Sequence, residues 1–117
     1  MDIESFREYC LHKKASTESF PFNETVLVFK VMNKMFALTD LGTEFKIIVK
    51  CEAERAVELR EQFESIEYAP HFDKKHWISI HMDESKSDQL ILELIDQSYL
   101  LVTSKLTKKQ KEELNSM

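Results

Sequence analysis

The chain has 117 residues, 43% hydrophobic and 32% charged, with a net charge of −5 and a pI near 5.4. Its length suits one folded domain, and charge scattered among apolar residues excludes a disordered tail. The acidic balance excludes a protein that coats nucleic acid by bulk charge, while leaving room for a local basic face.

Asp2 is predicted to cap a first helix in which Ile3, Phe6 and Cys10 recur at i, i+3 and i+7. Residues 16–24 read as a loop, because Pro21 in Phe20-Pro21-Phe22 stops regular structure and holds Phe20 extended. Val- and Phe-rich residues 25–32 predict a strand, Asn33-Lys34 a tight turn, and residues 35–39 a second strand. Asp40-Leu41-Gly42-Thr43, with the single glycine of the chain, predicts another turn. Residues 45–51 alternate Phe45, Ile47, Val49 and Cys51 against Lys46, Ile48 and Lys50, the pattern of a half-buried strand. Residues 52–63 switch to helical spacing, with Ala56, Leu59 and Phe63 on one stripe and an acidic first turn that suits the helix dipole. Residues 77–82 alternate again, residues 83–86 read as a turn, and Ser87 caps the longest helix. Leu90, Ile91, Leu94, Ile95, Leu101 and Val102 form that helix's apolar stripe, and residues 107–117 read as a polar tail, with weak helical propensity over 107–114.

The order α-β-β-β-α-β(β)-α with short connections predicts an α+β fold. Its form is a two-layer α/β sandwich, an antiparallel sheet with helices on one face and the other face open. Pleat alternation places Leu27, Phe29, Val31, Phe45, Ile47, Val49, Ile78, Ile80 and Met82 under the helices. It sends Val28, Lys30, Lys46, Ile48, Lys50, Trp77, Ser79 and His81 to the open face, apolar at its centre and basic around it. Lys74 and Lys75 are expected to enter its edge from the loop before Trp77, and the acid to lie on the helices. Such a face admits three readings: a nucleic-acid surface where lysines meet phosphates and Trp77 stacks, a protein interface, or a solvated sheet face.

Motifs for chemistry are absent from the sequence. It has no GxGxxG, P-loop, GxSxG or HExxH, and one glycine cannot build a phosphate-cradling loop. His71, His76 and His81 recur every five residues, but His76 and His81 stand an odd number apart in an extended segment and point to opposite faces. No metal, cofactor or catalytic residue is therefore expected, and His76 reads as a loop hydrogen-bonder. Cys10 and Cys51 lack a CxxC or His partner and read as reduced, buried thiols. The opening Met1-Asp2-Ile3-Glu4 has no basic and apolar leader, and no apolar run nears the roughly 20 residues of a membrane span, so a cytoplasmic location is expected.

Several blocks together resemble the MmcQ/YjbR family. They are Tyr9-Cys10, Phe20-Pro21-Phe22, Val28-Phe29-Lys30-Val31 with Lys34-Met35-Phe36-Ala37-Leu38, Lys50, Ala56 through Leu59-Arg60, His71 through Trp77, and Ile95 with Ser98-Tyr99-Leu100-Leu101-Val102. The resemblance spans residues 1–106 as a single domain and departs from the family pattern at Asp73, often Asn there, and at Tyr68-Ala69-Pro70, where a glycine turn is usual. It implies a CyaY-like or secretion-chaperone-like α/β sandwich and the family's label of DNA-binding protein with a double-wing arrangement. The expected function is thus that of a small non-enzymatic binding protein. DNA is the leading partner, through Lys30, Lys46, Lys50, Lys74, Lys75, His76 and Trp77, and a protein-interaction or chaperone-like module with no nucleic-acid role is the alternative.

Overall fold

Asp2, Ser87 and Thr107 each accept a hydrogen bond from a backbone N–H of the following turn, and a helix starts at each. The structure, a computed structural model, describes residues 1–83 and 85–117; Glu84, inside the predicted turn 83–86, lies outside the described residues. Four helices and six strands follow in the order α1 (Ile3–Leu11), β1 (Ser16–Ser19), β2 (Val26–Val31), β3 (Lys34–Asp40), β4 (Lys46–Lys50), α2 (Ala53–Gln62), β5 (Ile66–Tyr68), β6 (Trp77–His81), α3 (Asp88–Ser104) and α4 (Lys108–Asn115). The strands form one antiparallel sheet in the order β1-β2-β3-β4-β6-β5. This is the predicted α+β sandwich, with helices packed on the sheet.

The core forms where the helices meet the predicted sheet face. Leu27, Phe29, Val31, Ile47, Val49, Ile78 and Ile80 pack there with Phe6 and Cys10 of α1, Ala56 and Leu59 of α2, and Ile91, Leu94, Ile95 and Val102 of α3. Burial raises the thiols of both Cys10 and Cys51. Met32 and Asn33, both with positive φ, form the β2–β3 hairpin turn, one residue earlier than the predicted Asn33-Lys34. A bulge in this hairpin shifts the register between Phe29 and Lys30, and Phe36 and Ala37 both join the core.

Residues 16–19 were expected in a loop and are instead the edge strand β1, paired with Val28–Val31. Its Ser-Thr-Glu-Ser sequence carries no apolar alternation; the strand exists because β2 offers it a ladder and Arg7 of α1 grips Glu18 through two hydrogen bonds. The polar tail is likewise a helix, α4. Thr107 and Gln110 close a capping box, and Leu114 reaches the core with Leu106.

A polar cluster fastens α1 to α3. The Tyr9 hydroxyl donates to Asp96 Oδ1 at 2.6 Å, and the Lys13 ammonium pairs with the same carboxylate while lying 5.0 Å and 5.8 Å from the ring centroids of Tyr9 and Tyr99. Burial, then the Asp96 carboxylate, pushes the Tyr9 phenol from 10.0 up to about 12. A folded-state value raised in this way stabilises fully below pH 10 and is lost as pH rises towards about 12. The thermal midpoint is expected to fall across that window, and Tyr9→Phe to flatten the fall. Alkaline absorbance titration should lose its latest tyrosinate step in the same variant.

Candidate functional site

The uncovered sheet face is built from cross-strand rows. Val28 pairs with Leu38, Leu38 with Ile48, Ile48 with Ser79 and Ser79 with Glu67, so one row crosses five strands. Lys30 and Met35 pair on one side of that row, with Lys50 and Trp77 paired towards the same end; Lys46 pairs with His81 at the other. The central apolar, flanking basic pattern expected of this face is present.

The face is not fully open. Val28, Leu38 and Ser79 are at most 3% exposed, which a bare sheet surface would not allow. Two loops account for this. Asn23 Oδ1 accepts from the backbone N–H groups of Thr25 and Val26, at 2.9 Å and 2.8 Å, and this turn sets Phe22 against one side of the face. Pro70, His71 and Phe72 rise on the other side, His71 with φ 69° reversing the chain. Between them lies a groove of about 670 Å³, floored by Val26, Met35, Leu38, Ile48 and Ser79. Phe22, 59% exposed, stands at its lip.

The predicted cationic residues do not share one surface. Lys46 lines the groove. Lys50 and Trp77 sit beyond its far end, beside the C-terminal end of α3. Lys74 and Lys75 do not enter the edge of this face; they line a hollow with Ala53, Glu54, Val57 and Arg60 of α2 and with Tyr68. The reason is local: Asp73 accepts from Lys75 N–H at 3.0 Å and binds His76 Nδ1 at 2.6 Å, closing a tight turn before β6. Those bonds, His76 first, hold the Asp73 carboxyl below its ordinary value.

The acid is not confined to the helices either. Asp40 lines the groove, and His81 at its end is bracketed by Glu67 at 2.9 Å and Glu44 at 3.4 Å. His71, His76 and His81 thus occupy a groove wall, a turn and a carboxylate bridge.

Three residues of this region, Ser98, Lys34 and Lys105, were not among the expected site residues. Ser98 is fully buried; its hydroxyl donates to Phe36 O at 2.6 Å and accepts from Lys50 N–H at 2.8 Å. β3 and β4 pair at Ala37–Val49 and Leu38–Ile48, and one residue further on the Ser98 hydroxyl stands between them, so the strands fork. Lys34, Lys50 and Lys105 then surround a cleft of about 290 Å³ with Met35, Trp77 and Val102. A serine on an otherwise apolar helical stripe was the readable signal; the arrival of Lys34 and Lys105 depended on tertiary folding.

Comparison with known proteins places this architecture. Residues 11–101 match the model of the YjbR family. The uncharacterised Escherichia coli O157:H7 protein YbdF is 33% identical over 95 residues, covering 80% of this chain and 77% of YbdF. The uncharacterised protein YjbR of Escherichia coli K12 is 28% identical over 100 residues, 85% of each chain. Among crystal structures, the Deinococcus radiodurans protein DR2400, with a DUF419 domain, superposes with a TM-score of 0.90 at 38% identity, covering 97% of this chain and 87% of that one. A Pseudomonas syringae protein shares the fold, with a TM-score of 0.76 at 24% identity over 87% of this chain and 99% of that one.

Proposed function

The chain belongs to the YjbR family, and from that premise we propose that it is a non-enzymatic binding protein whose sheet-face groove seats an apolar anchor of a partner polypeptide. The observation that carries this reading is the groove itself: about 670 Å³, an aliphatic floor, and aromatic walls from Phe22 and Phe72. That volume falls within the roughly 300–1,000 Å³ of ligand-binding clefts. An aromatic side chain exposed at its lip is the kind of residue that dominates interface energetics. The rim carries Asp40, Lys46 and His71, a mixture of signs better suited to a polypeptide than to a polyanion. Recognition would run through side chains entering the groove, because the floor strands already pair on both sides.

Nucleic acid is the second reading, favoured by Lys30, Lys50 and Trp77 lying towards one end of the sheet. It loses Lys74 and Lys75, which sit on the α2 flank, and it meets Glu44, Glu67 and Asp40 on the same face.

Panning a random-peptide phage library on the wild-type chain tests the proposal. The expected binders carry an aliphatic or aromatic anchor, and Ile48→Asn in the floor weakens them at least about tenfold, roughly 1.4 kcal/mol. Failure to enrich such peptides, or equal binding by the variant, defeats the reading. Labelled duplex and single-stranded DNA form the opposing arm. Salt-sensitive binding lost on replacing Lys30 and Lys50, with a slope near −0.9 per phosphate for duplex, would favour the second reading.

A further inference from the structure

The geometry points to a second site, adjoining the groove at Met35: the fork between β3, β4 and the end of α3 binds a nucleoside phosphate. Three lysines line this cleft from three different elements, Lys34 at the start of β3, Lys50 at the end of β4 and Lys105 at the C-cap of α3. Among the described residues, none of the three forms an ion pair with a carboxylate. Like charges drawn to one cleft repel, and a bound anion relieves that repulsion. The carbonyl end of α3 offers partial negative charge, which the Lys105 backbone N–H answers in part by donating to Val102 O and Thr103 O. The lysine side chains are left for an external anion.

Trp77 supplies the rest of the assignment. It lines this cleft and also a neighbouring one of about 410 Å³, with Lys50 and Lys105 common to both. Phe72 packs against the indole at 5.1 Å between ring centroids, tilted by 41°, which fixes the ring as a rigid platform. The first cleft contains lysines and no carboxylate, so it takes phosphate. The second adds Glu52, Asp73 and His76 beside Ala53 and Leu101; Asp73 and His76 are engaged with each other in the turn, so it is Glu52 that offers an acceptor to the amino or imino edge of a base stacked on Trp77. Two adjoining lobes on one indole, one lined by lysines alone and one that adds carboxylates to them, match a ligand with a flat polar ring at one end and phosphate at the other.

Trp77 is the sole tryptophan of the chain, so its fluorescence reports this site alone. Titration of the intact protein with AMP, GMP, CMP and UMP, corrected for absorbance, is expected to give saturable quenching below about 1 mM for at least one of them. Inorganic pyrophosphate should compete, the matching nucleoside should bind at least about tenfold more weakly, and Lys34→Gln with Lys50→Gln should cost about tenfold or more. Ile48→Asn in the groove floor should leave the quenching unchanged, which separates this site from the polypeptide groove. No saturable quenching by any of the four overturns the assignment. So does quenching that survives the double lysine variant with an unaltered thermal midpoint, or binding of a single-stranded oligonucleotide without binding of any mononucleotide.

Discussion

Ser98→Ala is expected to lower the thermal midpoint by about 10 °C. The substitution removes one oxygen atom from a fully buried helix position, and by volume alone it would be nearly silent. Its cost lies in what that oxygen serves. The hydroxyl donates to Phe36 O at 2.6 Å and accepts from Lys50 N–H at 2.8 Å, groups 62 and 48 residues away. Both become orphaned backbone groups, and each unmet buried partner costs about 1–3 kcal/mol. A total of roughly 2–6 kcal/mol is a large share of the 5–15 kcal/mol typical of a whole domain, and near this size each kcal/mol is worth about 4 °C. The Lys50 amide should also exchange faster than those of Ile47 and Val49. A midpoint within about 2 °C of wild type would mean that β3 and β4 can close directly and that Ser98 is no spacer.

Phe6→Ala is the larger loss. Phe6 is wholly buried and is, with Cys10, the means by which the nine-residue α1 holds the sheet. Its ring meets Phe29 edge-on at 5.4 Å and 88°, and Phe45 at 6.1 Å and 62°. Removing a buried phenyl ring costs about 3–5 kcal/mol from lost transfer energy and an unfilled cavity, with an edge-to-face pair adding roughly 0.5–1.5 kcal/mol. Chemical denaturation should show that loss, while Phe6→Leu, which keeps most of the volume, should cost under about 1.5 kcal/mol. The damage should spread to β1, because Arg7 of the same helix supplies the side-chain grip on Glu18. A loss below about 1 kcal/mol in Phe6→Ala would show that α1 is held by something other than this aromatic cluster.

The elements legible in the sequence are those whose apolar residues set their own period. Phe45, Ile47 and Val49 announce β4, and Ile91, Leu94, Ile95 and Val102 announce α3, because burial of one face is most of what stabilises such segments. β1 stayed hidden since all four of its residues are polar and its partner strand makes it a strand. α4 buries a single leucine, too little for periodicity, although Thr107 and Gln110 spell a capping box that was there to be read. The two-sided pattern of the sheet was equally plain for β2 and β4 and placed Val28 and Ile48 on the uncovered face; Leu38 of β3, given no face by the pattern, joins them through strand pairing.

What the pattern could not supply was the path of the loops. The turn at Asn23 and the left-handed His71 convert an open face into a groove. The Asp73 turn leaves Lys74 and Lys75 beside α2 instead of the face they were expected to join. Charge position therefore followed from short-range hydrogen bonding at two or three polar residues, a scale below any periodicity.

The two buried thiols have a practical corollary. Desolvation holds Cys10 and Cys51 in the unreactive protonated form, so maleimide dyes should ignore both in the native molecule. A cysteine introduced at an exposed lip position such as Phe22 would then be the one thiol open to conjugation, and a fluorophore or spin label could watch that rim without first stripping the natural sulfur from the interior.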